Sequence, residues 1–413
     1  MDRRDLRHRH DAGHQRTDRV VRLPHRFLRA GDDGSRLAHV AQHSAVPHQR
    51  PHFRHRADGT KPWPSIQRCE LTGSAGSDPR VLYSGFHYLH HNAGSGYDAV
   101  VADPDHYVSG ARLPYAGRLE STRARHLNFL LLDLLTILRG LRHDTVHYFY
   151  PEATAYLSPW ILRLFGKRIV YTVHLADDQW LGPTRSVHHR IKQFSLRAAH
   201  AIVVLSSQQR GVFAEAFPHK QVSFVPHGFT FSDAEPPLEL FEARTRGQRR
   251  LVLVGSNYRD FDMLEDILAQ RDTRNVRIEL IGMDDAARER FAQQPGVVCH
   301  PRLTAENYGR VLRESFALLL PLTFATANNA LLEAYNAYLP AFLTRIDGVT
   351  DYVVDGDRSL FSSPEEFWSK YDGLAAASPS QLRDYCIEVH DAARDRFSWP
   401  RVRDELAEVY GGG

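Results

Sequence analysis

The chain has 413 residues and a mass of 47.1 kDa, enough for two or three domains at roughly 100 to 200 residues each. Its 42% hydrophobic, 24% charged and 10% aromatic content excludes a fibrous, collagenous or wholly disordered protein, and three widely spaced cysteines exclude a disulfide framework or a cysteine-rich zinc site. The net charge of +3 conceals an uneven spread, about +6 over 1–79, about +6 over 80–228 and about −9 over 229–413, with no helix-turn-helix, zinc-finger or RNA-binding signature to point to nucleic acid.

Residues 1–79 are dense in Arg and His and carry no sustained period of 3.6 or 2, which predicts disorder. Arg exceeds Lys about ninefold in the chain, as in GC-rich genomes, and out-of-frame translation of such DNA yields this kind of Arg/His/Pro text. The native start is therefore expected near Arg80, with 1–79 a mis-assigned extension. Neither a secretory signal nor a run of roughly 18 to 20 apolar residues is present; the longest candidate, Leu127 to Leu138, is interrupted by Asp133. A reducing cytoplasm is the expected compartment.

From Arg80 the pattern changes. "RVLYSG" predicts a buried strand, followed by the glycine-containing loop with Gly94 and Gly96, an apolar-periodic helix over Leu127 to Leu141 and a strand over Thr145 to Tyr150. A helical "YLSPWILRLFG", the strand "KRIVYTVH" ending at His174, a helix over Ser186 to Ala199, "AIVVLS", a helix over Gln208 to Ala216 and "VSFVPHG" complete a first body, 80–228. Acidic, Pro-containing 229–249 reads as a linker. Alternation resumes over 250–397: "RRLVLVGS", a helix from Met263 to Gln270, "VRIELIG", a helix from Asp284 to Gln293, "GVVCH", a helix from Glu306 to Glu314, "FALLLPL", a helix from about Asn329 to Tyr338, and "PAFLT". Strands alternating with helices predict two mainly parallel, doubly wound α/β sheets, whose ligands sit beyond the carboxyl ends of the strands.

The order of segments from about Arg80 to Tyr410 resembles the glycosyltransferases of the two-Rossmann-domain type, GT-B, and within them the large family 4. The resemblance rests on "LLLPLTFATANNALLEAYNAYLPAFLTRIDGVTDYVVDG", on "VSFVPHGF", and on "RDRFSWPRVRDELAEVY", the last like a closing helix that crosses back, so that 398–413 completes the first domain. It implies two Rossmann-like domains facing across a cleft, and retaining transfer of a hexose from a nucleotide diphosphate sugar to an acceptor hydroxyl in glycan, polysaccharide or glycolipid synthesis. It also implies no resident cofactor and no metal. The alternatives are a nucleotide-sugar epimerase of the same fold, or a non-catalytic binding or scaffold protein.

Residue by residue, a helix opening at Asn328 and Asn329 turns its unpaired N–H groups toward a diphosphate. Glu333, one turn in, can accept from ribose hydroxyls or can simply complement the helix dipole. His174 falls where the resemblance places a histidine lining the sugar pocket. Gly94, Gly96 and Gly255 follow strands, where glycine permits close backbone approach to phosphate or merely forms a turn. The family pattern of Glu, seven residues, Glu meets Ala325 at its first position, and of the usual two cations after the first donor-domain strand only Arg259 is near, either gripping phosphate or pairing with Asp260 or Asp262. The pairs Asp103/Asp105 and Asp355/Asp357 resemble metal-binding Asp-x-Asp motifs but read as turns. The cationic, amphipathic "PWILRLFGKR" is either a membrane-facing stretch or a helix packed on the sheet.

Overall fold

A computed structural model describes residues 80–86, 96–110, 113, 124–183, 187–271 and 274–411, so the expectations for 1–79 and for Gly94 lie outside the described residues. The described residues form two six-stranded sheets, both wholly parallel, within one unit, Ala75–Gly413.

The first sheet consists of β1 (Val81–Gly85), β2 (Tyr107–Ser109), β3 (Thr145–Tyr148), β4 (Arg168–Val173), β5 (Ala201–Val204) and β6 (Gln221–Phe224), in the order β2-β1-β3-β4-β5-β6. The second consists of β7 (Arg249–Val254), β8 (Val276–Ile281), β9 (Val297–Cys299), β10 (Ala317–Leu320), β11 (Ala341–Thr344) and β12 (Leu360–Phe361), in the order β12-β11-β10-β7-β8-β9. Central strands such as "AIVV", "ALLL" and "AFLT" are buried at every residue, because helices cover both faces and no polar alternation is needed. Each order reverses once, between β1 and β3 and between β10 and β7, and crevices open beyond the strand ends at those points.

Helix starts follow local chemistry. Ser206, Asp260, Asp284, Thr304, Asn328, Ser363 and Ser378 each accept a backbone N–H of the first turn, and Ser378 forms a reciprocal capping box with Gln381. Asp133, the acid inside the apolar helix Ala124–Gly140, is fully buried. It accepts from the N–H groups of Tyr156, Leu157 and Ser158 and from the Ser158 hydroxyl, so it caps the neighbouring helix Ser158–Leu164 from outside.

Segment 229–249 is not a plain linker. It contains the helix Leu238–Thr245, whose Phe241 lies fully buried in the core of the second sheet and whose Arg244 donates to the carbonyls of Arg313, Ala337 and Tyr338. The short sequence period there is broken by acids and prolines, but one aromatic and one guanidinium suffice to anchor it. The chain returns to the first core at its end. Trp399, Val402, Leu406, Val409 and Tyr410, on the helix Trp399–Gly411, pack with the first sheet, each such burial being worth roughly 1.5 to 3 kcal/mol. Where the two crossings meet, the Phe229 N–H donates to the Phe397 carbonyl at 2.8 Å and Phe229 pairs with Ser398.

Candidate functional site

A cleft of about 1140 Å³ lies beyond the strand ends and takes lining residues from both sheets. In the second sheet, β7 ends at Val254 and Gly255 follows with φ +76°, a left-handed conformation that turns the chain sharply. The loop after it is pinned to the end of β10. Asp260 N–H donates to the Pro321 carbonyl at 2.9 Å and Thr323 N–H to the Tyr258 carbonyl at 3.0 Å, with a bridge between Arg259 and Leu322.

Arg259 folds under this loop. Its guanidinium donates to the Val254 carbonyl at 2.6 and 3.0 Å and to the Asn257 carbonyl at 3.0 Å. Neither neighbouring acid neutralises it: Asp260 caps the helix Phe261–Ala269 through Met263, and Asp262 pairs with Arg290. Desolvation pushes the Arg259 guanidinium down to about 10, which leaves it charged at neutral pH. The cleft therefore holds a fixed positive charge beside a helix N-terminus.

That helix, Asn329–Asn336, is capped by Asn328, whose side chain accepts from Leu331 N–H at 3.3 Å. The Asn329 Oδ1 is buried and has no hydrogen-bond partner among the described residues. A buried amide oxygen left so is costly unless a ligand donor meets it. Glu333 lines the same wall, and the Tyr308 hydroxyl, from the helix Ala305–Glu314, donates to its Oε2. Burial and the Glu333 carboxylate push the Tyr308 phenol well up, so it stays a donor. Ala325, where the family pattern expects an acid, is buried, and its carbonyl lies 2.2 Å from where a Cβ on Gly348 (φ +83°) would sit.

From the first sheet, His174 follows β4 and its carbonyl accepts from Thr326 Oγ1 at 3.4 Å, which ties it to the Pro321 loop. Its ring sits 4.5 Å from Tyr150, 5.0 Å from Tyr97 and 6.3 Å from His227. His227 is 2% exposed, and burial holds its pKa down at about 4, so the ring is neutral. Since Nδ1 lies 2.7 Å from the Gly228 carbonyl it must carry the hydrogen, leaving Nε2 as an acceptor. Glu152, in the short helix after β3, also lines the cleft. Its Oε2 is buried with no hydrogen-bond partner among the described residues, and burial raises its pKa to about 7, with Lys192 opposing.

Of the residues singled out from sequence, His174, Gly255, Arg259, Asn328, Asn329 and Glu333 are brought together around the cleft. Gly96 does not join them. It is buried at the start of the turn Tyr97–Val100 with φ −72°, a conformation open to any residue. Glu152, Tyr150, His227 and Tyr308 were not anticipated; of these Tyr150, last residue of the strand expected over Thr145 to Tyr150, and His227, in "VPHG", lay at the ends of segments already marked as strands. The Asp-x-Asp pairs are engaged elsewhere. Asp103 accepts from Asp105 N–H, Asp355 from Ser359 and Tyr385, and Asp357 pairs with Arg345 and Lys370.

Residues 87–232 match the model of the family described as Glycosyltransferase Family 4. Over 183 residues the chain is 24% identical to a sucrose synthase of Acidithiobacillus caldus, a match covering 41% of this chain and 22% of that protein, so the chain spans about a fifth of that relative. Among solved structures, a sucrose-phosphate synthase from Thermosynechococcus elongatus superposes with a TM-score of 0.51 at 13% identity, covering 80% of this chain and 88% of the other. The catalytic domain of starch synthase IV from Arabidopsis thaliana, bound to ADP and acarbose, gives 0.52 at 12%, covering 70% and 78%. TarM gives 0.52 at 10%, covering 69% and 58%. At these identities the likeness establishes a shared fold, that of the GT-B glycosyltransferases.

Proposed function

Taking the chain as a glycosyltransferase-family-4-like protein of the GT-B fold, we propose that it transfers a hexose from a nucleotide diphosphate sugar to an acceptor hydroxyl in glycan, polysaccharide or glycolipid synthesis. The observation that carries this reading is the convergence, at the switch point of the second sheet, of the Asn329 helix N-terminus, the unneutralised Arg259 and the Tyr308-oriented Glu333. Helix N-terminus and guanidinium suit a diphosphate, and a carboxylate oriented by a phenol suits the ribose hydroxyls.

On this reading the bond between the sugar C1 and the diphosphate oxygen breaks, the diphosphate keeps the electron pair, and the acceptor oxygen bonds C1 while its proton passes to the leaving group. Charge developing on that leaving group is met by groups fixed before the reaction. His174 faces the transferring sugar, Asn329 Oδ1 takes a sugar hydroxyl in place of the acid absent at Ala325, and Glu152 faces the acceptor. Retention of configuration and independence from metal belong to the same proposal.

Titrating UDP, GDP and ADP, free and as sugar conjugates, against the protein and Glu333→Gln tests it. Loss of a charge-assisted ribose contact should weaken the preferred nucleotide roughly ten- to a hundred-fold at unchanged melting temperature. Equal affinity in both proteins, or binding of none of the nucleotides, removes the donor site.

A further inference from the structure

Eleven of the fourteen large apolar side chains exposed among the described residues lie on one layer of the first domain. Leu127, Leu130, Leu134 and Leu138 stand three or four residues apart on the helix Ala124–Gly140, so they form one stripe. Leu164 is 87% and Phe165 64% exposed at the end of the helix Ser158–Leu164, and Phe194 is 51% exposed on the helix Val187–Ser195.

These helices form one continuous surface. Asp133 of the first caps the second, Trp160 of the second stacks on Phe194 of the third at 4.7 Å, and Arg163 donates to the Ala198 carbonyl at 3.0 Å. Such a run of exposed apolar groups on a folded domain marks an interaction site. Its charge is one-sided. Across the three helices and the adjoining turn Leu196–Ala198 the sole acid is Asp133, which is fully buried, whereas Arg139, Arg163, Arg190 and Arg197 are exposed, with Arg142 just beyond the first helix.

We infer that this helix layer is a docking face for an anionic lipid surface, with the leucines and phenylalanines entering the headgroup boundary and the arginines meeting the lipid phosphates. Apolar insertion and cationic attraction are the two terms that hold a peripheral protein on a bilayer, and here one face supplies both. The inference does not depend on which nucleotide the cleft takes.

The test is flotation of the full chain with vesicles of equal parts phosphatidylglycerol and phosphatidylcholine, or of phosphatidylcholine alone. Because 1–79 is itself basic, the decisive quantity is the difference between proteins that share it. Leu138→Glu with Leu164→Glu, and separately Arg142→Glu with Arg190→Glu, should each cut partitioning onto the anionic vesicles, by at least about fivefold per arginine replaced. Nucleotide-induced thermal shifts should be unchanged, which keeps this result separate from that of the donor site. Partitioning equal to that of the unaltered chain, or equal on both vesicle types, overturns the inference. So does a dimer, seen by light scattering without lipid, that the leucine variants dissociate, since the face would then join two copies of the chain.

Discussion

The buried histidines make stability depend on pH in a calculable way. His147 is fully buried between β3 and the last helix, with Nδ1 2.8 Å from Tyr410 Oη and Nε2 2.7 Å from Thr172 Oγ1, and burial pushes its pKa down to about 3. His227 is pushed down to about 4. Below about 6.5 the unfolded chain protonates both while the native chain does not, so stability is complete above that pH and falls as pH drops toward 4. Each contributes a slope of about 1.4 kcal/mol per pH unit, hence about 2 kcal/mol apiece at pH about 5. Glu152 opposes them: its native pKa of about 7 lies above the unfolded value, so between roughly 4.5 and 7 the native state holds the extra proton and stability falls as pH rises. The net slope from these three groups is close to that of one proton. Replacing His147 by Gln keeps an amide able to donate and accept at the same place but cannot titrate. In urea unfolding at pH steps from about 7.5 to 4.5, the two proteins should run parallel above about pH 6.5, and below it the slope of the variant should be smaller by about 1.4 kcal/mol per unit. Profiles parallel throughout would refute a buried, neutral His147.

His174→Ala should lower turnover about a hundredfold while nucleotide affinity stays within about twofold; unchanged turnover in a steady-state assay would leave it a strand-end packing residue. Turnover should rise with pH through about 7 as Glu152 ionises, and Glu152→Gln should flatten that limb; a limb that survives the substitution assigns the titration elsewhere. Gly348→Ala places a Cβ 2.2 Å from the Ala325 carbonyl at φ +83°, so it should cost about 1 to 3 kcal/mol in thermal unfolding and weaken nucleotide binding through the Ala325 to Asn328 loop. An unaltered melting temperature would show that the loop yields freely.

Much of the architecture was legible because buried parallel strands announce themselves as short apolar runs. "AIVV", "VRIELI" and "ALLLP" needed no partner to be recognised, and Asn328 ahead of "NALLEAY" marked a helix start. The three-residue β2 and the two-residue β12 were too short to carry a period, and the helix Leu238–Thr245 is held by Phe241 and Arg244 in the tertiary structure, not by an amphipathic pattern. The site divides similarly. Arg259, Asn329 and Glu333 stand at strand ends or helix starts, where chain order alone places them near a crevice. Tyr308 precedes Glu333 by 25 residues on another helix, and Glu152 enters the cleft from a four-residue helix, so only the assembled sheets bring either to it.

The return of the last helix to the first core bears on how the protein is made. The first sheet is complete in sequence by Phe224, yet Trp399, Val402 and Leu406, together with the Tyr410 hydroxyl that bonds His147, are synthesised only after the entire second domain. During translation the second domain can finish and fold while the first still exposes the apolar groove that this helix will fill, so the domain begun first is completed last. That interval is when the nascent chain is most open to aggregation or chaperone capture. A premature stop just before Trp399 would leave the second domain intact and the first permanently unfinished.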